Sequence, residues 1–128
     1  MRKNIVSALV MAFAMLACSK SITLGIINRS GMPVSIKQPT KIDCGPNEVV
    51  FFIPERKKHD IEISTQTGSF SYDLLAMPPS YLDIKNKKRL LFVFAQDHKL
   101  YLLNPTNNPL AEQIGDQPTG YPLIPAKN

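Results

Sequence analysis

The chain has 128 residues, 44% apolar and 20% charged, which is the size and composition of one globular domain and excludes two. Its net charge is +5, or +3 (13 basic and 10 acidic residues) without residues 1–17. That mild excess is compatible with an anionic surface. It comes without the interleaved aromatic residues or the known module typical of nucleic-acid binding. Two cysteines and two histidines do not suggest a closed zinc site, and we expect no metal and no cofactor.

Residues 1–17 have the layout of an export signal. Arg2 and Lys3 precede an apolar run from Ile5 to Ala17 that is interrupted only by Ser7. The run is shorter than the roughly 20 apolar residues that a membrane-spanning helix needs. We therefore predict an N-terminal signal helix that is removed on export.

The sequence Met15-Leu16-Ala17-Cys18 resembles the lipobox of bacterial lipoproteins, a resemblance confined to residues 1–20. It implies that Cys18 carries a thioether-linked diacylglycerol and becomes the acylated N-terminus after cleavage. Because Ser19 follows, and not Asp, it also implies the periplasmic face of the outer membrane, where the organism has one. The alternative is an ordinary secretory signal cut after Ala14 or Ala17, which would leave Cys18 free to pair with Cys44.

The next region, residues 18–104, shows the pattern of short strands rich in Ile, Val, Phe and Tyr between turn residues. Seven such segments at close spacing predict an all-β fold, a small antiparallel sandwich or barrel. The candidate strands are 21–28, 33–38, 48–53, 59–65, 69–75, 89–96 and 99–104.

Strict alternation predicts one buried and one solvated face for three of these strands. The side chains expected to face the core are Val34, Ile36, Ile61, Ile63, Phe70, Tyr72 and Leu74. Two runs, 49–53 and 90–94, are apolar throughout, so we expect central strands or strands covered on both faces. Turns are predicted at 30–33, 67–68 and 97–98, and Asp97 and His98 are residue types that tolerate positive φ.

Two clusters of basic residues could contact phosphates of lipid head groups or an acidic protein. They share one end of the domain if the strands that follow them run the same way. The alternative is that they are solvated turns that keep neighbouring strands soluble. The residues are Arg56, Lys57 and Lys58 before one strand, and Lys85, Lys87, Lys88 and Arg89 before another.

Residues 105–128 contain five of the eleven prolines and few core candidates, which predicts a flexible tail. Within it, one short apolar motif could occupy a groove on a partner in an extended conformation. The alternative is that the tail folds back on the domain or stays disordered. The motif consists of Tyr121, Pro122, Leu123, Ile124 and Pro125.

No catalytic motif is present, and a Cys–His pair would require Cys44 to lie beside His59 or His98. We therefore predict no catalytic residues. The leading hypothesis is a lipid-anchored, non-enzymatic envelope protein that binds a protein partner at the outer membrane, as a small subunit or stabiliser of an envelope or secretion complex. The alternative is a small binding or inhibitory module for a host hydrolase, an envelope glycan or a lipid.

Overall fold

The computed structural model describes residues 22–37, 40–54, 60–74, 79–82 and 89–126. In these ranges the chain forms eight strands and two short 3-10 turns, the latter at Pro79–Tyr81 and Pro109–Ala111. The strands are β1 (Thr23–Arg29), β2 (Val34–Lys37), β3 (Lys41–Cys44), β4 (Val49–Phe52), β5 (Asp60–Ser64), β6 (Ser69–Asp73), β7 (Arg89–Ala95) and β8 (Leu100–Leu103).

The strands form two four-stranded sheets. The first sheet has the order β4-β1-β7-β8 and the second has the order β3-β2-β5-β6. Every neighbouring pair is antiparallel except β1 and β7, which run parallel. The prediction of a small all-β sandwich is confirmed, whereas the predicted signal helix lies outside the described residues.

The core between the sheets follows the alternation in the sequence. In the second sheet, Ile36, Ile61, Ile63 and Tyr72 are at most 1% exposed, while their strand neighbours face solvent. In the first sheet, β1 and β7 are buried along almost their whole length. The expectation that the 90–94 run is covered on both faces is therefore confirmed.

Two strand predictions were wrong. The run 49–53 was expected to be central, but β4 is the edge strand of the first sheet, where Phe51 is 42% and Ile53 is 55% exposed. A wholly apolar run does not distinguish a central strand from a partly covered edge strand. Strand β3 was not among the candidate strands; its residues Lys41 and Asp43 are exposed, and its last residue, Cys44, is buried.

Asn28 joins the two sheets at the end where β1 stops. Its side-chain amide donates to the carbonyl oxygens of Met32 (2.7 Å), Cys44 (3.1 Å) and Gly45 (3.1 Å). Its Oδ1 accepts from the backbone N–H and the hydroxyl of Ser30. Asn28 is fully buried, so these bonds satisfy a polar group that would otherwise be costly to bury, and they hold the β1–β2 link against the β3–β4 link.

The C-terminal segment differs from the prediction of a flexible tail, because residues 105–126 pack on the domain. Arg29 donates to the carbonyl oxygens of Pro109, Leu110 and Glu112, which fixes the second 3-10 turn over the end of β1. Ile114 packs against the outer face of the first sheet. The segment has few apolar residues, but its backbone carbonyls accept hydrogen bonds from Arg29 and Arg89, which composition does not reveal.

The last part of this segment closes one side of the sandwich. Leu123 exchanges two backbone hydrogen bonds with Leu100 on β8, at 2.8 and 3.0 Å. The N–H of Ala126 then donates to the carbonyl oxygen of Ser71 on β6. The segment thus bridges the edge strands of the two sheets and supplies partners for backbone groups that an open edge would expose.

In the part of the chain that the structure describes, no helix has the length and apolar character to cross a membrane.

Candidate functional site

The strand directions define two ends of the sandwich. β7 starts beside β1, and β4 ends there, because β7 is parallel and β4 antiparallel to β1. The links 30–33 and 45–48 join the two sheets at the opposite end, so β2 and β4 start there. β5 is antiparallel to β2 and therefore starts at the same end as β1 and β7. We call this end, where β1, β5 and β7 begin, the basal end.

Two exposed apolar side chains lie on the first sheet near the basal end. Phe51 is opposite Gly25 in the register, and Ile53 follows one residue beyond β4, next to the start of β1. The Phe51 ring lies so close to the backbone that a Cβ on Gly25 would meet it at 2.7 Å, so a larger residue here would have to displace the side chains of Phe51 and Leu91. We call Phe51 and Ile53 the apolar pair.

Arg89 packs beside the apolar pair. Its guanidinium carbon lies 5.1 Å from the centroid of the Phe51 ring, a cation–π distance. Its Nη2 donates to the carbonyl oxygen of Thr106 at 2.8 Å. This side chain, predicted to contact an anionic surface, is thus engaged by Phe51 and by the C-terminal segment.

The other predicted basic residues, Arg56, Lys57, Lys58, Lys85, Lys87 and Lys88, lie outside the described residues. The strands that follow them, β5 and β7, do begin at the same end, which was the condition for the two clusters to share it. Among the described residues, the basal end carries charges of both signs, with exposed Lys37 and Lys41 on one hairpin and Asp60 and Asp73 on the other. Contact with an anionic surface stays a prediction.

The predicted partner-binding motif is divided between the core and the surface. Tyr121 is buried, with its ring stacked 6.4 Å from that of Phe92, and burial raises the pKa of its phenol to about 12. Leu123 is paired with β8, and Pro122 and Pro125 are half-buried. Ile124, by contrast, is 69% exposed. Ile124 therefore has the largest exposed fraction of the motif.

Sequence reasoning missed Gln117, which completes the covered edge of β8. Its Oε1 accepts from the Leu102 N–H at 2.8 Å, and its Nε2 donates to the Leu102 carbonyl oxygen at 2.9 Å. The side-chain amide therefore makes the same two bonds to β8 as a neighbouring strand would make. Only the final fold aligns residue 117 with residue 102, so no local sequence pattern indicates this role.

Two of the three groups considered for catalysis, Cys44 and His98, make contacts within the folded domain. The Cys44 thiol is buried and donates to the carbonyl oxygen of Glu48 at 3.4 Å, and desolvation raises its pKa from 9.0 to about 11. The nucleophilic form of cysteine is the thiolate, so a raised pKa disfavours reactivity. The His98 ring is stacked at 4.4 Å on Phe70 and at 5.8 Å on Phe94, and its backbone has the positive φ anticipated at this turn. His59 lies outside the described residues.

Across the described ranges, no group of three Cys, His, Asp or Glu side chains is arranged to bind a metal ion. No family model, no curated protein and no solved structure matches the chain. The functional interpretation therefore depends on the chain's own geometry.

Proposed function

We propose that this chain is the precursor of a bacterial lipoprotein, in which residues 1–17 are the export signal and Cys18 carries the lipid. The mature β-sandwich would be held at the periplasmic face of the outer membrane. There it would act without catalysis, by binding a protein partner as a small subunit or stabiliser of an envelope complex.

The observation that carries this proposal is the short distance between Cys18 and the folded domain. β1 begins at Thr23, five residues after Cys18, and the described chain already packs against the core at Ile22. Five extended residues span at most ~17 Å. A lipid on Cys18 would therefore keep the basal end close to the bilayer and restrict binding to partners at the membrane.

The state of the reactive groups supports a binding role over a catalytic one. A cysteine that acts as a nucleophile needs an exposed or activated thiolate, whereas the Cys44 thiol is buried and its pKa is raised. The exposed apolar side chains, in contrast, suit contact with another molecule. Those of the described residues are Phe51, Ile53, Leu110 and Ile124.

Ile124 is the residue of the C-terminal motif through which we propose that a protein partner binds. Residues 121–126 run antiparallel to β8, so Ile124 lies beyond Leu123 toward the end of the sandwich opposite the basal end. On an anchored protein this end points away from the membrane. Deleting the tail would not test this role, since its other residues hold the fold together.

The test is a mild cross-linking pull-down from native membranes, with the full-length protein beside a Cys18→Ala variant and an Ile124→Ser variant. We expect specific envelope proteins with the wild-type protein, and loss of them with both variants. The Ile124→Ser protein should still fractionate with membranes, which separates loss of the partner from loss of the anchor.

Equal amounts of the wild-type and Cys18→Ala proteins in the soluble fraction would overturn the lipid anchor. A membrane-bound protein that recovers no partner would favour the alternative of a small binding or inhibitory module. Retention of the same partners by Ile124→Ser would exclude the C-terminal motif as the contact.

A further inference from the structure

The apolar pair is exposed at the end of the domain that the proposed anchor holds nearest to the membrane. Single exposed apolar side chains are common on soluble proteins and carry no meaning by themselves. The apolar pair differs in its position, because Ile53 follows β4 next to the start of β1. β1 begins at most ~17 Å of extended chain from Cys18, so the proposed anchor would hold the pair near the membrane. In the part of the chain that the structure describes, both side chains stay partly exposed, Phe51 at 42% and Ile53 at 55%.

We propose that the basal edge of the first sheet rests on the bilayer, with Ile53 and the rim of the Phe51 ring inserted at the boundary between the lipid head groups and the acyl chains. This inference rests on the proposed lipid anchor and adds an orientation to it. The domain would then have a fixed orientation, with one face on the membrane and another toward the protein partner. It would not rotate freely about its tether.

The geometry of the pair suits an interfacial site. The Phe51 ring lies close to Gly25 and under the Arg89 guanidinium, and Phe51 is still 42% exposed. Interfacial residues of peripheral proteins typically insert by only ~5–10 Å, which two side chains can reach without unfolding any strand. The described residues of the basal end carry charges of both signs, so we assign the driving force to apolar contact.

The experiment uses the absence of tryptophan from this chain. An Ile53→Trp variant places one fluorophore in the apolar pair, and an Ile124→Trp variant places one at a similarly exposed position toward the opposite end. Each full-length, lipidated protein is reconstituted into vesicles of phosphatidylethanolamine and phosphatidylglycerol. Quenching is measured with lipids brominated on the acyl chain and with iodide in the aqueous phase, after circular dichroism has established that both variants fold.

We expect the Ile53→Trp protein to emit at shorter wavelength than the Ile124→Trp protein, to lose intensity with brominated lipid and to resist iodide, while the Ile124→Trp protein does the reverse. Equal iodide quenching of both variants would overturn the fixed orientation but would not contradict the lipid anchor. Shielding of the Ile53→Trp fluorophore from both quenchers would overturn it as well, since a protein, such as a second copy paired on β4, would then cover the site. A protein that fails to associate with vesicles would refute the anchor, and with it this inference.

Discussion

The two sheets bury their residues in different ways. The second sheet has one dry face, and its outer face carries solvated pairs such as Ser35 with Asp43 (2.9 Å) and Ser64 with Ser69 (2.9 Å). The first sheet is apolar on both faces: Ile27, Leu91, Val93 and Leu103 lie on its outer side and are at most 1% exposed. The C-terminal segment acts as a third layer over this outer side, where Ile114 packs on the cluster.

The strongest test of this comparison is to remove the third layer by truncating the chain after Asn104. We expect loss of cooperative folding, because burial of each of the four outer-face side chains contributes ~1.5–3 kcal/mol, on the order of 6 kcal/mol or more in total. Thermal unfolding followed by circular dichroism, with size-exclusion chromatography, measures the effect. The control removes only residues 127–128 and should behave as wild type. A truncated protein within ~1 kcal/mol of wild type would mean that the segment is dispensable.

The Asn28→Ala variant tests the hydrogen bonds by which the Asn28 side chain connects the two sheets. The substitution removes the amide's bonds to three carbonyl oxygens and to Ser30 in a buried position, so we expect a loss of ~2–4 kcal/mol in the free energy of unfolding. The Met32 oxygen keeps the bond from the Ser30 hydroxyl, and the Gly45 oxygen keeps the bond from the Glu48 N–H. Urea denaturation gives the value. The control, Asn104→Ala at an exposed position, should change it by less than ~0.5 kcal/mol. Similar values for both variants would show that water replaces these bonds.

Burial of the Cys44 thiol in the second sheet makes the free energy of unfolding depend on pH. The folded state raises the pKa of the thiol from 9.0 to about 11, so the folded protein holds the proton more tightly than the unfolded chain. The stabilisation is complete below pH 9 and is lost as pH rises to 11, by on the order of 2 kcal/mol.

The measurement is urea denaturation of the wild-type and Cys44→Ala proteins at pH 9 and pH 11. The variant is less stable at both values, but its decline between them should be smaller because it has lost this titrating group. Tyr121, whose phenol pKa is raised to about 12, contributes equally to both proteins and does not affect the comparison. Identical declines would contradict the assignment.

Gln117→Ala tests the covered edge of β8. Two hydrogen bonds to Leu102 are lost, and we expect a loss of ~1–2 kcal/mol together with faster amide exchange at Leu102. Gln113→Ala, four residues earlier at an exposed position, serves as the matched control and should leave both quantities unchanged. Unchanged protection of the Leu102 amide in the Gln117 variant would show that the strand edge does not depend on this side chain.

The smallest effect is expected at the uncovered part of the first sheet. Ile53→Ser should change the free energy of unfolding by less than ~0.5 kcal/mol, because the side chain is more than half exposed. Val93→Ser, in the same sheet but under the third layer, should cost several times as much, about 2 kcal/mol or more. Denaturation of both variants compares the uncovered and the covered parts of one sheet, and equal losses would mean that Ile53 is buried in solution.

The features that could be predicted are those that depend on the alternation of apolar and polar side chains along a strand. Ile61, Ile63 and Tyr72 were correctly assigned to the core, since alternation alone determines which face they occupy. The positive φ of His98 likewise occurs at one of the two turn residues whose types tolerate it. These features depend on neighbours in the chain and need no knowledge of the tertiary fold.

What could not be predicted depends on contacts between distant segments. Arg29 binds carbonyl oxygens some 80 residues later, and Gln117 aligns with Leu102 only in the finished sandwich. The pairing of β1 with β7 likewise joins Thr23 to Arg89. The apolar pair was misjudged for the same reason, because whether an apolar strand is central or at an edge depends on which strands lie beside it.

The parallel pairing of β1 and β7 sets an order of assembly during synthesis. β1 lies between β4 and β7, but β7 leaves the ribosome after six other strands, and the segment that seals the edge follows β8. For most of its translation the chain therefore lacks one of the two central strands of its first sheet. A nascent chain in this condition cannot complete its fold early, which in the proposed export would favour crossing the membrane before folding.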